Sequence, residues 1–507
     1  MPRRLLMPCL VAALGAAVYL LVAPPSADLA AQEYRADLGL TLWNNGWYAG
    51  HHTLGYSVLF APLGGALGVR LTGALAAVAA AALFAALAHR HWDGDRRHAA
   101  SLAALWFAAG TTAVLLTGRL TFLLGVAIGV GALLALAHDR RTLAAALAAA
   151  TTLASPVAGL FVALAAVAWG LTDRRARGPA GVAIALAALA PTALMLLLFP
   201  QGGDEPFVAS AFWPALAGTL LVAALLPAQE RTLRTGTLLY AVALVAAFAI
   251  STPLGGNASR LGALVAGPIV LGALAGRRRP LLLAALALPL AYWPLYPAVR
   301  DVVRASGDPS IQKRYHAPLL EQLARRGDLR THRLEIPFTE NHWEARHVAP
   351  RVALARGWER QLDRRYGALF YDGSLDAASY RAWLDERAVA YVALPDVPLD
   401  YAGREEGRLV GAGLPYLREV WRDEHWRLFA VRRPRPLGAT LTGGDTITLR
   451  ATRPGDVLVR VHHTRWWRVT AGNACVSRAP GAMTRVRVRS AGTVRIQARL
   501  TGSSCGS

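Results

Sequence analysis

Between Leu5 and Val299 the chain is almost wholly apolar, in runs long enough to cross a bilayer. Spanning a hydrocarbon layer of about 30 Å takes roughly 20 residues. Every backbone polar group in that layer must be satisfied internally, which here leaves helices. Candidate spans fall near 5–23, 67–88, 99–117, 119–137, 142–154, 156–171, 179–199, 210–227, 236–252, 260–275 and 280–298. Only 17% of the 507 residues are charged, against roughly 25% in an ordinary soluble domain. That excludes a disordered chain and a simple soluble enzyme of two or three domains. After Arg300 the composition becomes that of globular protein. The expected fold class is mainly α, a polytopic membrane helix bundle of about eleven crossings over residues 1–299. An extracytoplasmic α/β domain (300–435) and a small C-terminal β-sandwich (436–507) follow.

The net charge of +22 would suggest nucleic acid in a soluble protein, but its placement argues for topology. Arg3, Arg4, Arg90, Arg96, Arg97, Arg140, Arg141, Arg174, Arg175, Arg177, Arg231, Arg234, Arg277, Arg278 and Arg279 fall in alternate loops, and the opposite loops hold only Arg35, Arg119 and Arg260. Positive residues gather on the cytoplasmic side. This predicts a bacterial plasma-membrane protein with a cytoplasmic N-terminus and C-terminal domains outside. A cleaved signal peptide is the lesser alternative, because the first apolar run is longer than a signal core. The short runs 142–154 and 156–171 meet at Ser155-Pro156 and could form a re-entrant hairpin, which would leave nine crossings and the same sidedness. Lysine occurs once, at Lys313, so codon bias toward arginine accounts for part of the basicity.

The first outer loop, from Pro24 to Thr53, carries the chemistry. Asp28 can cap a helix from Ala30 to Leu40, which makes Glu33 and Asp37 neighbours on one face. Two carboxylates held together beside a bilayer suit a general base; a solvated amphipathic helix is the simpler account. Trp43, Trp47, Tyr48, Tyr56 and Phe60 are then interleaved with Asn44, Asn45, Gly46, Gly50, His51, His52 and Gly55. An interfacial aromatic belt explains the rings but not the amides, imidazoles and glycines. That mixture suits a saccharide, stacked on rings and hydrogen-bonded to Asn and His. His51 and His52 could ligate a metal, although adjacent residues of a strand point apart.

One membrane helix, an outer loop with an early acidic residue and the segment WYAGHHTLGYSVLFAPL together resemble the GT-C superfamily of polytopic glycosyltransferases. TGRLTFLLG (117–125), TLASPVAG (152–159) and an outward C-terminal region resemble actinobacterial members of that group. The resemblance spans roughly residues 1–300. It implies a polyprenyl-phosphate-linked sugar as donor, an envelope glycan or lipid as acceptor, and an inverting displacement with a carboxylate as base. Asp28 best matches the family's acidic position. No adjacent Asp-Glu pair is present here, so Glu33 and Asp37 stay as alternatives. Arg119 and Arg260 flank membrane spans at the depth of a lipid phosphate, and a guanidinium binds phosphate through a planar fork; anchoring helix ends is the plainer role. Asp204 and Glu205 leave room for Mg or Mn near that phosphate, with a solvated turn the simpler account.

In the tail, RLEIPF (333–338), VAYVAL (389–394) and WRLFAV (426–431) read as strands, and 374–388 as a helix capped by Ser374 or Asp376. His342, Trp343, Glu344, Arg356, Trp358, Glu359 and Asp363 could bind acceptor or pack as ion pairs. From Pro436 the period becomes two, with 11 arginines against two acidic residues. Arg485, Arg487, Arg489, Arg495 and Arg499 fall on solvent-facing positions. Cys475 and Cys505 lie where a disulfide persists; Cys9 reads as core.

The rival functions are a secondary transporter of the major-facilitator kind and a non-catalytic glycan-binding or assembly protein of the envelope. Against the transporter stand the absent six-plus-six repeat, the odd crossing number and the near absence of intramembrane charge apart from Arg70. HWDGDRRH (91–98) is only faintly like the transporter signature. No nucleotide-binding motif is present, and the partners implied are membrane lipids and lipid-linked sugar, not nucleic acid.

Overall fold

The structure is a computed structural model that describes residues 3–275 and 280–506. Arg277, Arg278 and Arg279, counted above for orientation, lie outside the described residues, as do the side chains of Arg3 and Arg4. The chain divides into two compact units: residues 1–37 with 55–305, and residues 38–54 with 306–507. The polypeptide therefore leaves the first unit at Asp37, contributes seventeen residues to the second, and returns at Gly55.

The first unit is helical: α1 (Arg3–Val22), α2 (Ala27–Leu38), α3 (Phe60–Leu67), α4 (Val69–His91), α5 (Arg97–Leu116), α6 (Leu120–Ala137), α7 (Arg141–Ala154), α8 (Pro156–Leu171), α9 (Gly178–Leu198), α10 (Ala209–Leu225), α11 (Arg231–Ala249), α12 (Arg260–Leu274) and α13 (Pro280–Ala305). Among the described residues eight helices are long and apolar enough to cross a membrane. The protein is a multi-pass membrane protein. Three of the eleven expected crossings, α7, α8 and α10, are shorter helices of 10–17 residues, below the ~20 that a full span takes. The 142–171 stretch is thus two helices broken at Ser155, whose hydroxyl accepts from the Ala158 amide while Pro156 opens α8. Helix Ala209–Leu225 was not suspected of being short.

Packing between these helices relies on small side chains, as it does where the solvent offers no hydrophobic drive. At the α8–α9 crossing a Cβ on Gly181 would lie 2.7 Å from the Ala166 carbonyl oxygen. Arg70, the apparent intramembrane charge, sits in the first turn of α4, donates to the Pro24 carbonyl at 2.9 Å and lies over the Tyr19 ring. The HWDGDRRH loop is a clasp on buried Glu230. Arg96 donates to its carboxylate at 2.7 Å, His91 bonds it at 2.8 Å and the Trp92 indole at 3.2 Å. Burial pushes the Glu230 carboxyl up, but these partners outweigh burial and hold it at about 2.

In the second unit, β1 (Trp43–Asn44) and β2 (His51–His52) form a short hairpin. A mixed four-stranded sheet follows, from β3 (Arg333–Glu335), β4 (Val389–Pro395), β5 (Leu417–Arg422) and β6 (Trp426–Val431) in the order β3-β4-β6-β5; β3 and β4 are parallel and the other pairs antiparallel. The expected helix runs Ala377–Glu386, capped by Asp376 in a reciprocal box with Ser379. The C-terminal strands β7 (Thr440–Gly443), β8 (Thr446–Ala451), β9 (Gly455–His462), β10 (Trp467–Ala471), β11 (Ala474–Arg478), β12 (Met483–Val488) and β13 (Gly492–Ala498) make two sheets, β10-β13-β8-β7 and β11-β12-β9. Ile447, Leu449, Val459, Val486 and Ile496 face one another between the sheets, while Arg487, Arg489, Arg495 and Arg499 point to solvent; Arg485 is half-buried. Cys475 and Cys505 are disulfide-bonded.

Candidate functional site

The site begins at the turn between α5 and α6. Gly118 there has φ +69°, and a Cβ on it would meet Ser26 Oγ at 2.1 Å and the Leu29 amide nitrogen at 3.0 Å. Only glycine lets the start of α2 approach that closely. Gln32, one turn further along α2, locks the contact. Its side-chain oxygen accepts from the Thr121 amide at 3.0 Å and the Thr121 hydroxyl at 2.9 Å, and its amide donates to the carbonyls of Gly118 and of Asp28. The TGRLT segment is therefore the seat of α2.

Asp28 lies in the first turn of α2, which starts at Ala27, and so does not cap the helix from outside. A carboxylate there still benefits from the helix dipole. Its Oδ2 accepts from Arg119 Nε at 3.4 Å, with the side chains 36% and 28% exposed. The contact is long and wet enough for a ligand to compete with it. Arg260, at the start of α12, is half-buried beside the Phe122 ring and has Arg119, Asp28, Tyr56 and Glu205 as its charged and ionisable neighbours. Glu205 is placed by a bond from its amide to the Thr252 carbonyl. Tyr56 is covered by the buried Arg35 guanidinium at 3.9 Å. Thus Asp28, Arg119, Arg260 and Tyr56 come together in the first unit. Glu33 is half-buried and Asp37 exposed on the same helix.

The remaining loop residues go elsewhere. Trp43, Asn44, Trp47, Tyr48, His51 and His52 belong to the second unit and are buried there, none more than 7% exposed. Trp43 is part of the sandwich core, edge-on to Trp467. His51 Nδ1 meets the His52 carbonyl at 2.8 Å, so that nitrogen carries the proton and Nε2 accepts from Asn44 at 3.1 Å. Both ring nitrogens are thereby used, and neither is open to a metal. Trp47 stacks on the His51 ring, and the Tyr48 hydroxyl bonds the Gly357 carbonyl and the Glu359 amide. His52 bonds the Thr464 hydroxyl at 2.9 Å, and burial, helped by Arg465, drops its pKa to about 4. The amides and imidazoles that suggested a saccharide complete an internal hydrogen-bond network.

The tail's charged cluster is also internal. Arg356 makes a two-pronged pair with Asp363 (3.0 and 2.6 Å), bonds Glu406 at 3.0 Å, and is held between the rings of Phe338 and Phe370. His342 stacks on Trp358 between Glu344 and Asp400, and its imidazole is held above the ordinary range by those carboxylates against the pull of burial. Glu359 supplies the amide to Tyr48, and Trp343 stacks on His347. Among the described residues no group of three or more His, Cys, Asp or Glu could hold a metal ion.

Sequence reasoning missed Gln32, Gly118 and Thr121 as positioning residues. The signal was present: a glutamine four residues after Asp28, and a Thr-Gly turn beside Arg119. No protein-family description matches the chain, and no curated protein matches it. Among solved structures the chain is similar to the crystal structure of ArnT from Cupriavidus metallidurans bound to undecaprenyl phosphate, at 15% identity and a TM-score of 0.43, over 83% of this chain and 97% of that one.

Proposed function

We propose that the protein is a membrane glycosyltransferase of the GT-C kind, moving a sugar from a polyprenyl-phosphate donor to an envelope glycan or lipid acceptor on the outer face. The observation that carries this reading is the grouping of Asp28, Arg119 and Arg260 at the ends of α2, α6 and α12. The Arg119 and Arg260 guanidinium groups repel each other electrostatically, and the Asp28 carboxylate, 3.4 Å from Arg119, only partly offsets them. A phosphate would satisfy both. Arg119 and Arg260 then take the charge that develops on the lipid phosphate as the glycosidic bond breaks. Asp28 withdraws the proton of the acceptor hydroxyl while its oxygen attacks the anomeric carbon, in a single displacement that inverts that carbon. Gln32, Gly118 and Thr121 position Asp28 and do no chemistry.

Binding of undecaprenyl phosphate to the protein in nanodiscs tests the phosphate assignment. Each of Arg119→Gln and Arg260→Gln should weaken binding by about tenfold or more, the effect of losing one charge-assisted hydrogen bond. Unchanged affinity in both variants would remove the phosphate site, and with it the donor class.

A further inference from the structure

The first unit carries a second lipid-facing feature, which runs along α6 and has its charged end at the helix terminus opposite Arg119. A groove of about 760 Å³ runs along α4, α6 and α7, with Leu63 and Leu67 of α3 at one end. Leu75 and Leu83 of α4, Leu124 of α6 and Leu147 of α7 wall it, and His138 and Arg140 close one end. From Leu124 to His138 it follows fourteen residues of helix, about 21 Å at 1.5 Å per residue. That exceeds one leaflet of a hydrocarbon layer about 30 Å thick. The groove is open on its outer side: Leu75 is 53% and Leu143 44% exposed.

Two features give the groove a specific occupant. First, its walls between the ends are apolar apart from Thr72, which suits a hydrocarbon chain. Secondly, the end is cationic. Arg140 and Arg141 stand exposed next to His138, against the single carboxylate of Asp139. A basic pocket between membrane helices at the headgroup layer attracts anionic lipid. Gly131 sits midway, where a Cβ would find only ordinary contacts at 3.7 Å, with Leu83 on one side and Leu147 on the other. Its missing side chain is what leaves the middle of the groove passable.

We infer that this groove is a binding site for an anionic phospholipid of the bilayer, with an acyl chain between α4, α6 and α7 and the phosphate on Arg140. The site is independent of the glycosyltransferase reading, since none of its residues belongs to the Asp28–Arg119–Arg260 group. The lipid would hold α7, too short to span alone, against its neighbours.

Native mass spectrometry on the full-length protein, extracted from nanodiscs of equal phosphatidylglycerol and phosphatidylcholine, tests the inference. Wild type should retain one phosphatidylglycerol in about tenfold preference over phosphatidylcholine. Arg140→Gln, an exposed change that folds normally, should bring the two lipids to parity. Gly131→Leu, which fills the groove, should lose both. Undecaprenyl phosphate binding should be unchanged in either variant, which separates this site from the first. Equal retention of the two lipids by wild type would overturn the inference. So would phosphatidylglycerol retained undiminished in both variants, or undecaprenyl phosphate displacing it from wild type at equal concentration.

Discussion

Replacing Gly118 by alanine probes the seat of α2 directly. The new methyl would lie 2.1 Å from Ser26 Oγ and 3.0 Å from the Leu29 nitrogen, at a residue with φ +69°. A left-handed conformation costs a non-glycine residue about 1–2 kcal/mol, and overpacking a tight contact typically adds about 1–3 kcal/mol. Gly118→Ala should therefore lose about 2–5 kcal/mol if the turn holds, or shift α2 and loosen Gln32 from Thr121 if it does not. The two components can be separated. Ser26 Oγ is buried with no hydrogen-bond partner among the described residues, so Ser26→Ala alone should be neutral or mildly stabilising. In the double variant Ser26→Ala relieves the worst collision but not the backbone strain, and a coupling of about 1 kcal/mol or more is expected. Thermal unfolding of the four proteins in one detergent, read by tryptophan fluorescence, completes the cycle. Wild-type stability in Gly118→Ala, or strict additivity with Ser26→Ala, would refute the account of this turn.

Two further predictions concern charge. Buried His52, at about 4, and His316, at about 3, are both held low mainly by desolvation, and His462 lies well below the usual value for the same reason. Because the unfolded forms take up protons near 6.5 and the folded forms do not, the second unit should lose stability as pH falls from about 6.5 toward 4. His342 works in the opposite sense, its contribution being lost as pH rises. The protection of residues 43–54 and 455–467 against hydrogen exchange, taken relative to the intrinsic amide rate at each pH, should fall between pH 7 and pH 5, and by less in His52→Gln; protection unchanged over that range would contradict the burial argument. Glu230→Ala should cost about 1–3 kcal/mol, because the buried Trp92 indole loses its acceptor while Arg96 and His91, 38% and 42% exposed, regain water. In the wild type that stability is full above about 4.5 and disappears as pH falls toward 2; a thermal shift of less than 2 °C for the variant would show that the clasp is dispensable.

Among the described residues hydrophobic run length located eleven of the thirteen helices of the first unit, α1 and α4 to α13, because the bilayer imposes a period-independent signal. Helix length in the middle of the chain was harder to read. Ala209–Leu225 is as apolar as its neighbours, and it stops at seventeen residues because Leu226, the residue before Pro227, is extended. Strands β4 and β6 were legible from β-branched and aromatic runs, whereas β5, LREVWR, was not, since an edge strand with exposed charge alternates weakly. The outer loop was the larger lesson. Trp43 to His52 looks like a ligand site because a buried polar network and a sugar site use the same residue types. What distinguishes them is a partner far along the chain, such as Gly357 for Tyr48 and Thr464 for His52. Residue spacing carries no record of such partners. Asp28, Arg119 and Arg260 could be singled out because charge is rare in that part of the sequence.

In the proposed sugar transfer Asp28 is the base, supported by Arg119 and Arg260. Turnover of polyprenyl-phosphate-linked sugars, followed as release of free polyprenyl phosphate in proteoliposomes supplied with envelope glycan acceptor, tests that role. Asp28→Asn keeps the size of the side chain and its place in α2 while removing the base. Turnover should fall by about 10²–10⁴-fold, the usual contribution of a positioned base, with undecaprenyl phosphate binding intact. Wild-type turnover in Asp28→Asn would contradict it, and full activity in Glu33→Gln and Asp37→Asn as well would remove the α2 carboxylates from the chemistry altogether.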